Sequence, residues 1–385
     1  MALVLFLVLA AGVLEIALRL TWKPLEYISV YAPDPTFHHR ARPNAIGGEM
    51  LETGRGVNLR TNSLGLRGEQ IGAKRPGACR IVDVGDSFIE AGTSPEPETS
   101  AKVLERLLNE RVGGREFEVI NAGQVSYSPI LYYLLIQRVL LPLAPDLVLV
   151  NVDMSDVQDD YVYSLIAEFD AAGRPLRVPN RVIPAMIPRP IPPPRWLAWL
   201  TRRSVLLQWV EYRTQRTFGA PREPAMPGDI RLDRVGATRD SGVAWEEHYR
   251  RTGKYLHDIR DLLAARGVPL AIFVYPMGHQ VAAREWDPGR RAWGFAPGRV
   301  YTGTFFPFLD RYCRQTGLPC HLLLDRFREY RGKEVLYLPR NGHFTAAGQR
   351  LLAEAQFEVL TRDGILARAC SAASGAGIGN ANGAK

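Results

Sequence analysis

Ser87 and His343 are the two side chains of this sequence whose types and positions suggest chemistry. Ser87 follows a short β-branched run, Ile81 to Val84, that breaks at Gly85, and such runs favour a buried strand. A hydroxyl whose proton an imidazole can take is the pair needed for nucleophilic attack on a carbonyl. The same residues also fit an ordinary turn in which Ser87 caps the next helix.

Two further positions lie at predicted strand ends. Gly123 closes Asn121-Ala122-Gly123 after the second predicted strand, and Ser155 follows the third, wholly apolar strand at Leu147–Val152. The carboxyl ends of parallel strands share one edge of a sheet, which is where ligands bind in open α/β sheets. The sequence therefore predicts that Ser87, Gly123 and Ser155 converge with His343.

The elements that must position these residues alternate between strand and helix. Later strands are predicted over 270–275 and 321–324, and helices over 245–265, over 305–316 and after Thr345, which suits a helix N-cap. Near-continuous apolar strands between helices favour a parallel sheet covered on both faces. We therefore predict a three-layer α/β/α sandwich over residues 80–368.

Composition excludes some classes of protein. The 385 residues carry a net charge of +8, but the cations are scattered and no nucleic-acid-binding motif accompanies them. None of the four cysteines forms a C-x-x-C pair, although Cys313 and Cys320 are close enough to bridge outside the cytoplasm. His279 lacks a second ligand at metal spacing. No metal or organic cofactor is expected.

Several segments flank or interrupt the predicted sandwich. Residues 1–23 are nearly all apolar and predict one transmembrane anchor or uncleaved signal, with a cleaved signal or a buried helix as alternatives. Residues 24–79 are predicted to form a lead-in that packs on the main domain, with an edge strand at Val57–Ser63. An insertion at 161–240 carries Pro184–Pro194 and a Trp196/Trp199 stripe, read as a cap helix or an interfacial one. Residues 369–385 predict a disordered tail.

The motifs together resemble the GDSL-type, or SGNH, family of serine hydrolases, including its membrane-anchored bacterial members. The first block of the family matches Val84 to Phe88, its second block matches Asn121-Ala122-Gly123, and its last block matches Asn341-Gly342-His343. The resemblance implies Ser87 as nucleophile and His343 as base. It also implies that the amides of Ser87 and Gly123, with the Ser155 hydroxyl, hold the oxyanion in the substrate-binding site.

Two residues depart from the family pattern. Ser155 stands where the family has an asparagine, and Asn341 replaces the acid of the triad. An asparagine carbonyl can accept a hydrogen bond from the imidazole N–H but supplies no charge, and Asp→Asn in a serine protease costs roughly 10⁴ in turnover through the wrong tautomer. Asp325, at another strand end, is a candidate substitute acid or an ordinary helix cap.

The resemblance implies an esterase that acts on an O-acylated glycan or lipid through an acyl-enzyme. Alternatives are an acyltransferase to envelope carbohydrate and a non-catalytic, membrane-tethered binding protein with a degenerate triad. The resemblance implies a single-pass membrane protein with a periplasmic catalytic domain. Arg19 and Lys23, which follow the apolar run, would place that domain in the cytoplasm by the positive-inside rule.

Overall fold

The computed structural model of the protein describes residues 2–21, 30–50, 56–180, 204–207, 209–210 and 245–371. The chain divides into two compact units. One comprises Met1–Glu26 and Arg181–Arg231, and the other comprises Tyr27–Asn180 and Leu232–Lys385. The predictions for Pro184–Pro194 and for the Trp196/Trp199 stripe lie outside the described residues.

The strands and helices are numbered in chain order. The strands are β1 (Tyr31–Asp34), β2 (His38–Ala41), β3 (Ile46–Met50), β4 (Gly56–Arg60), β5 (Cys79–Gly85), β6 (Phe117–Gly123), β7 (Leu147–Val152), β8 (Glu168–Phe169), β9 (Pro175–Arg177), β10 (Leu270–Val274) and β11 (Cys320–Leu322). The helices are α1 (Ala2–Thr21), α2 (Ser87–Glu90), α3 (Ser100–Arg111), α4 (Pro129–Leu135), α5 (Ser155–Ser164), α6 (Trp245–Ala264), α7 (Gly278–Val281), α8 (Phe305–Thr316), α9 (Leu324–Arg328), α10 (Ala346–Arg362) and α11 (Ile365–Ser371).

A five-stranded parallel sheet forms the centre of the larger unit, in the order β11-β10-β7-β5-β6. The predicted parallel sheet is confirmed. The strand order reverses between β5 and β7, because the chain first steps outward to β6 and then returns past β5. Such a reversal opens a crevice at the carboxyl ends of the two strands, and Ser87 follows β5 there.

The reversal also explains why helices cover both faces of the sheet. Right-handed crossovers in opposite directions place their helices on opposite sides. On one face, Ile81, Leu149 and Phe273 share a buried cluster with Leu104 of α3 and Leu352 of α10. Strand alternation turns Val82, Val148 and Val150 to the other face, where they are fully buried. The helices α4, α5 and α6 contact one another on that side.

The lead-in builds two small antiparallel sheets, β1 with β2 and β3 with β4. The edge strand predicted at Val57–Ser63 is β4, which ends at Arg60. Val30, Ala41 and Leu59 form a small buried cluster of their own. The side chain of Gln124, just after β6, accepts from the Ala41 amide and donates to the Gly65 carbonyl. These bonds attach the lead-in to the edge of the sheet where Ser87 lies.

Two disulfides cross-link the larger unit. Cys313 bonds to Cys320, the bridge that the sequence left open, and Cys79 at the start of β5 bonds to Cys370 in α11. The predicted tail from 369 is therefore corrected at its start. The helix α11 runs to Ser371, and Ala369 and Cys370 are buried against the core.

The helix α1 belongs to the smaller unit. The carboxylate of Glu15 accepts from the hydroxyl of Ser204 and from the amides of Val205 and Leu206 in that unit. Among the residues that the structure describes, no helix combines the length and hydropathy needed to cross a bilayer. The anchor predicted over residues 1–23 is therefore unsupported.

Candidate active site

The turn that presents Ser87 is fixed by its neighbour Asp86. Asp86 is the N-cap of α2, and its Oδ1 accepts from the Phe88 amide at 2.8 Å and from the Tyr275 hydroxyl at 2.9 Å. Ser87 is thus the first helical residue and not the cap. Because Asp86 satisfies the helix terminus, the Ser87 hydroxyl remains available for another partner.

Ser87, His343 and Asn341 lie together although 256 residues separate the first two. His343 Nε2 is 2.8 Å from Ser87 Oγ, and His343 Nδ1 contacts Asn341 Oδ1. The structure thus brings the three predicted catalytic residues into one chain of hydrogen bonds.

The orientation of the Asn341 amide sets the tautomer of His343. The backbone N–H of His343 donates to Asn341 Oδ1 at 3.2 Å, and an N–H needs an acceptor. The atom facing the ring must therefore be the amide oxygen, which cannot donate. Nδ1 then carries the proton, and Nε2 presents its lone pair to the Ser87 hydroxyl, as a general base must.

The loop that carries His343 is held from two sides. Leu338 donates its amide to the His343 carbonyl and accepts from the Gly342 amide. The Trp286 indole donates to the Arg340 carbonyl at 3.3 Å. Gly342 has a φ of +84°, and a Cβ there would lie 2.6 Å from the Trp286 ring, so both backbone and space require glycine. The loop is therefore fixed before substrate arrives.

Side chains from three separate segments hold the carbonyls of α2. Gln349 of α10 donates to the Phe88 carbonyl at 2.8 Å, and Asn121 of β6 donates to the Ile89 carbonyl at 2.7 Å. Arg67 of the lead-in donates to the carbonyls of Glu90 and Ala91. A four-residue helix makes few bonds of its own, so these side chains satisfy carbonyls that its end leaves open.

Gly123 lies where the last turn of α2 crosses β6. A Cβ at Gly123 would lie 2.0 Å from the Glu90 nitrogen and 2.6 Å from the Ile89 carbonyl carbon. Its own amide donates to Asn121 Oδ1 at 3.0 Å. Gly123 thus permits the backbones of α2 and β6 to approach closely. Its amide, which was expected to donate to the oxyanion, donates to Asn121 in this structure.

Ser155 begins α5 at the end of β7. Its hydroxyl donates to Asp153 Oδ1 at 2.6 Å, and its amide donates to the same oxygen at 2.6 Å. A hydroxyl has one proton to donate. The structure therefore directs the Ser155 proton to Asp153.

A buried group of carboxyls lies behind Ser87, and sequence reasoning did not foresee it. Burial, with the neighbouring Asp153, raises the pKa of Asp86 well above its usual value. The same two causes raise the pKa of Asp156, whose Oδ1 accepts from the Tyr132 hydroxyl. The signal was an aspartate directly after each of β5 and β7. Carboxyls packed in this way hold protons in preference to charge.

Asp325, the candidate substitute acid, lies in α9 after the edge strand β11. Its carbonyl accepts from the Glu329 amide, while Asn341 occupies the position at His343 Nδ1. His279 is buried with its ring stacked 4.0 Å from that of Phe295. Within the described ranges, no three His, Cys, Asp or Glu side chains are arranged to hold a metal ion.

Comparison with known proteins finds similarity at the level of structure alone. No family model and no curated protein matches the sequence. A catalytic mutant of the acetylxylan esterase Axe2 from Geobacillus stearothermophilus is 12% identical, with a TM-score of 0.36, covering 75% of this chain and 93% of that one.

Two other solved structures have similar TM-scores. The acetyl xylan esterase AlAXEase has a TM-score of 0.38 at 11% identity, covering 73% of this chain and 99% of that one. A G-D-S-L family protein from Desulfitobacterium hafniense DCB-2 has a TM-score of 0.37 at 10% identity, with 73% and 99% coverage. Scores of this size carry no inference about activity, so function is inferred from the site geometry.

Proposed function

We propose that this chain is a GDSL-type serine esterase in which Ser87 is the nucleophile, His343 the base and Asn341 the residue that orients the imidazole. One observation carries the proposal. His343 Nε2 is 2.8 Å from Ser87 Oγ, on a ring whose Nδ1 proton is fixed by the Asn341 oxygen. A nucleophile, its base and an orienting third group within hydrogen-bond reach form the arrangement of covalent catalysis.

The proposed reaction has two halves. Ser87 Oγ bonds to the ester carbonyl carbon as its proton passes to His343 Nε2, and the carbon–oxygen bond to the alcohol breaks as that alcohol takes the proton from Nε2. Water then attacks the acyl-enzyme, again giving a proton to Nε2. Collapse releases the carboxylic acid and returns the proton to Ser87 Oγ.

The oxyanion needs donors. Ser87 is the first residue of α2, so its amide has no partner within the helix. The Gly123 amide and the Ser155 hydroxyl contribute only if they leave or share Asn121 and Asp153. Each donor that does so is worth about 2.7–4 kcal/mol in a comparable site.

The Gly123 amide and the Ser155 hydroxyl both donate to side chains of the protein itself, and this observation favours one alternative function. A membrane-tethered protein that binds an acylated ligand without cleaving it would need no oxyanion donors. The esterase and the binding protein differ in whether Ser87 can be acylated, so one labelling experiment separates them.

For substrate and location we propose an O-acylated glycan or lipid outside the cytoplasm. The sequence resemblance to envelope members supports this choice. Two disulfides within one unit also support it, because disulfides persist in oxidising compartments and are rare in the cytosol.

The test is covalent labelling with a fluorophosphonate probe. We expect the wild type to be labelled, Ser87→Ala to lose all labelling, and Ser164→Ala, at the far end of α5, to label like the wild type. Absence of labelling in a folded wild type would contradict the esterase and favour the binding protein. Products formed from an acylated donor, either an acetylated glycan or an acyl lipid, with and without a free glycan acceptor in the same reaction then distinguish hydrolysis from transfer.

A further inference from the structure

The lead-in contains a turn, over residues 61–69, that is held by its own hydrogen bonds. Asn62 Oδ1 accepts from the amides of Leu64 and Leu66, and Asn62 Nδ2 donates to the Glu69 carbonyl. Thr61 and Arg67 pair across the turn as an antiparallel bridge. These bonds fix the backbone at Arg67 independently of the contacts that its side chain makes.

The Arg67 side chain extends to the end of the helix that Ser87 begins. One guanidinium nitrogen donates to the carbonyls of Glu90 and Ala91, and the other donates to the carbonyl of Ser94. Arg67 is 4% exposed. The buried positive charge of Arg67 is therefore in contact with backbone oxygens that follow the nucleophile closely in the chain.

Two properties of this end of α2 suit a guanidinium. Ala91 has the left-handed φ of +56° without being glycine, which costs energy that the surroundings must offset. The last carbonyls of a helix also carry partial negative charge, so a cation beside them is favourable. A planar fork of five donors can meet three carbonyls at once, whereas an ammonium is a single point.

We propose that Arg67 is a positioning residue for the nucleophile. By clamping the carboxyl end of α2, it sets where the amino end places Ser87 Oγ relative to His343 Nε2. This inference rests on the proposed esterase function, and it assigns to the lead-in a part in catalysis beyond packing. A displacement near 1 Å between reacting groups can cost about 10²-fold in rate.

The test compares Arg67→Lys with a matched control, Arg80→Lys, at a second buried arginine. Arg80, at the opposite end of β5, is 3% exposed and also donates to backbone carbonyls, those of Leu143 and Gly72. Each variant is measured for kcat, KM and fluorophosphonate labelling rate, and for thermal midpoint. We expect Arg67→Lys to lower kcat and the labelling rate at least tenfold with KM within twofold, and Arg80→Lys to lower the midpoint with kcat within twofold.

A rescue experiment adds a second readout. Arg67→Ala leaves room for a small cation, so about 20 mM guanidinium should restore at least a third of the lost labelling rate, while Arg80→Ala should gain nothing. The inference is overturned if Arg67→Lys keeps kcat within twofold, or if both lysine variants lose kcat in proportion to their midpoints. If the folded wild type is never labelled, that result contradicts the proposed esterase function, and with it the role of Arg67 in positioning the nucleophile.

Discussion

At the scale of single residues, Asn341 shows how a triad can keep its geometry and lose its charge. An amide at this position is damaging when its NH₂ faces the imidazole and selects the wrong tautomer. Here the His343 backbone N–H bonds to Oδ1, so the carbonyl faces Nδ1. What is missing is the negative charge that would stabilise the imidazolium in the transition state.

Asn341→Asp should therefore raise activity. A hydrogen bond to a charged group is worth about 1–1.5 kcal/mol more than a neutral one, which corresponds to about tenfold in rate. We expect kcat/KM for a p-nitrophenyl ester to rise about tenfold in Asn341→Asp and to fall below the wild type in Asn341→Ala. Equal rates in the two variants would show that residue 341 does not orient the ring.

Asp83 makes a separate prediction about pH. It is fully buried on β5, where Asn151 and Gln356 donate to its Oδ1, and burial raises its pKa to about 7. Between the unfolded pKa near 4 and the folded pKa, the folded state holds a proton that the unfolded state has lost. Stability from this group is therefore complete below about pH 4 and is lost as the pH rises to 7.

Asp83→Asn should flatten that dependence. An amide keeps the acceptor for Asn151 and Gln356 but cannot titrate. In urea unfolding between pH 5 and 6.5, we expect the decline of the free energy of unfolding to become less steep by about 1.4 kcal/mol per pH unit. Parallel curves for the variant and the wild type would contradict this assignment.

At the scale of elements, the crossing of α2 over β6 depends on Gly123. Because a Cβ there would meet backbone atoms of Ile89 and Glu90, Gly123→Ala must move the helix that carries Ser87. We expect about 100-fold slower labelling and a stability loss of about 1–3 kcal/mol. Gly72→Ala, which meets nothing within 4 Å, is the control and should change neither quantity. Unaltered labelling in Gly123→Ala would mean that this contact does not position Ser87.

How far sequence predicts these elements depends on how local their causes are. The helix predicted over 305–316 has those bounds in the structure, because its apolar spacing and following glycine are local signals. Ser87 could be placed at the end of a strand, and His343 just before the helix that Thr345 caps, by the same reasoning. The partners of Gly123 and Ser155 could not, since side-chain rotamers of Asn121 and Asp153 decide where those protons point. The contacts of Arg67 with the end of α2 could not be predicted either, because they join residues 23 to 27 positions apart in the chain.

At the scale of the whole molecule, the two disulfides differ in what they enclose. The sequence separation is 291 residues for Cys79–Cys370 and 7 for Cys313–Cys320. The chain-entropy relation assigns about 6 kcal/mol to the longer loop and about 2 kcal/mol to the shorter. The longer bridge also ties α11 to the start of β5, in a segment where composition alone predicts a tail.

Replacing both cysteines of each bridge by alanine tests this difference. We expect Cys79→Ala with Cys370→Ala to lower the thermal midpoint clearly more than Cys313→Ala with Cys320→Ala, measured by circular dichroism without reductant. A larger loss from the short bridge would indicate that local packing around Cys313 outweighs the closure of the long loop.

The long bridge has a further consequence for how the chain responds to cutting. Because Cys79 and Cys370 are joined, the polypeptide between them is a closed ring. A protease that hydrolyses one peptide bond in that ring opens it without releasing a fragment. Nicked molecules would therefore migrate as a single band until a thiol is added, and new ends could be engineered inside the ring while the halves stay tethered.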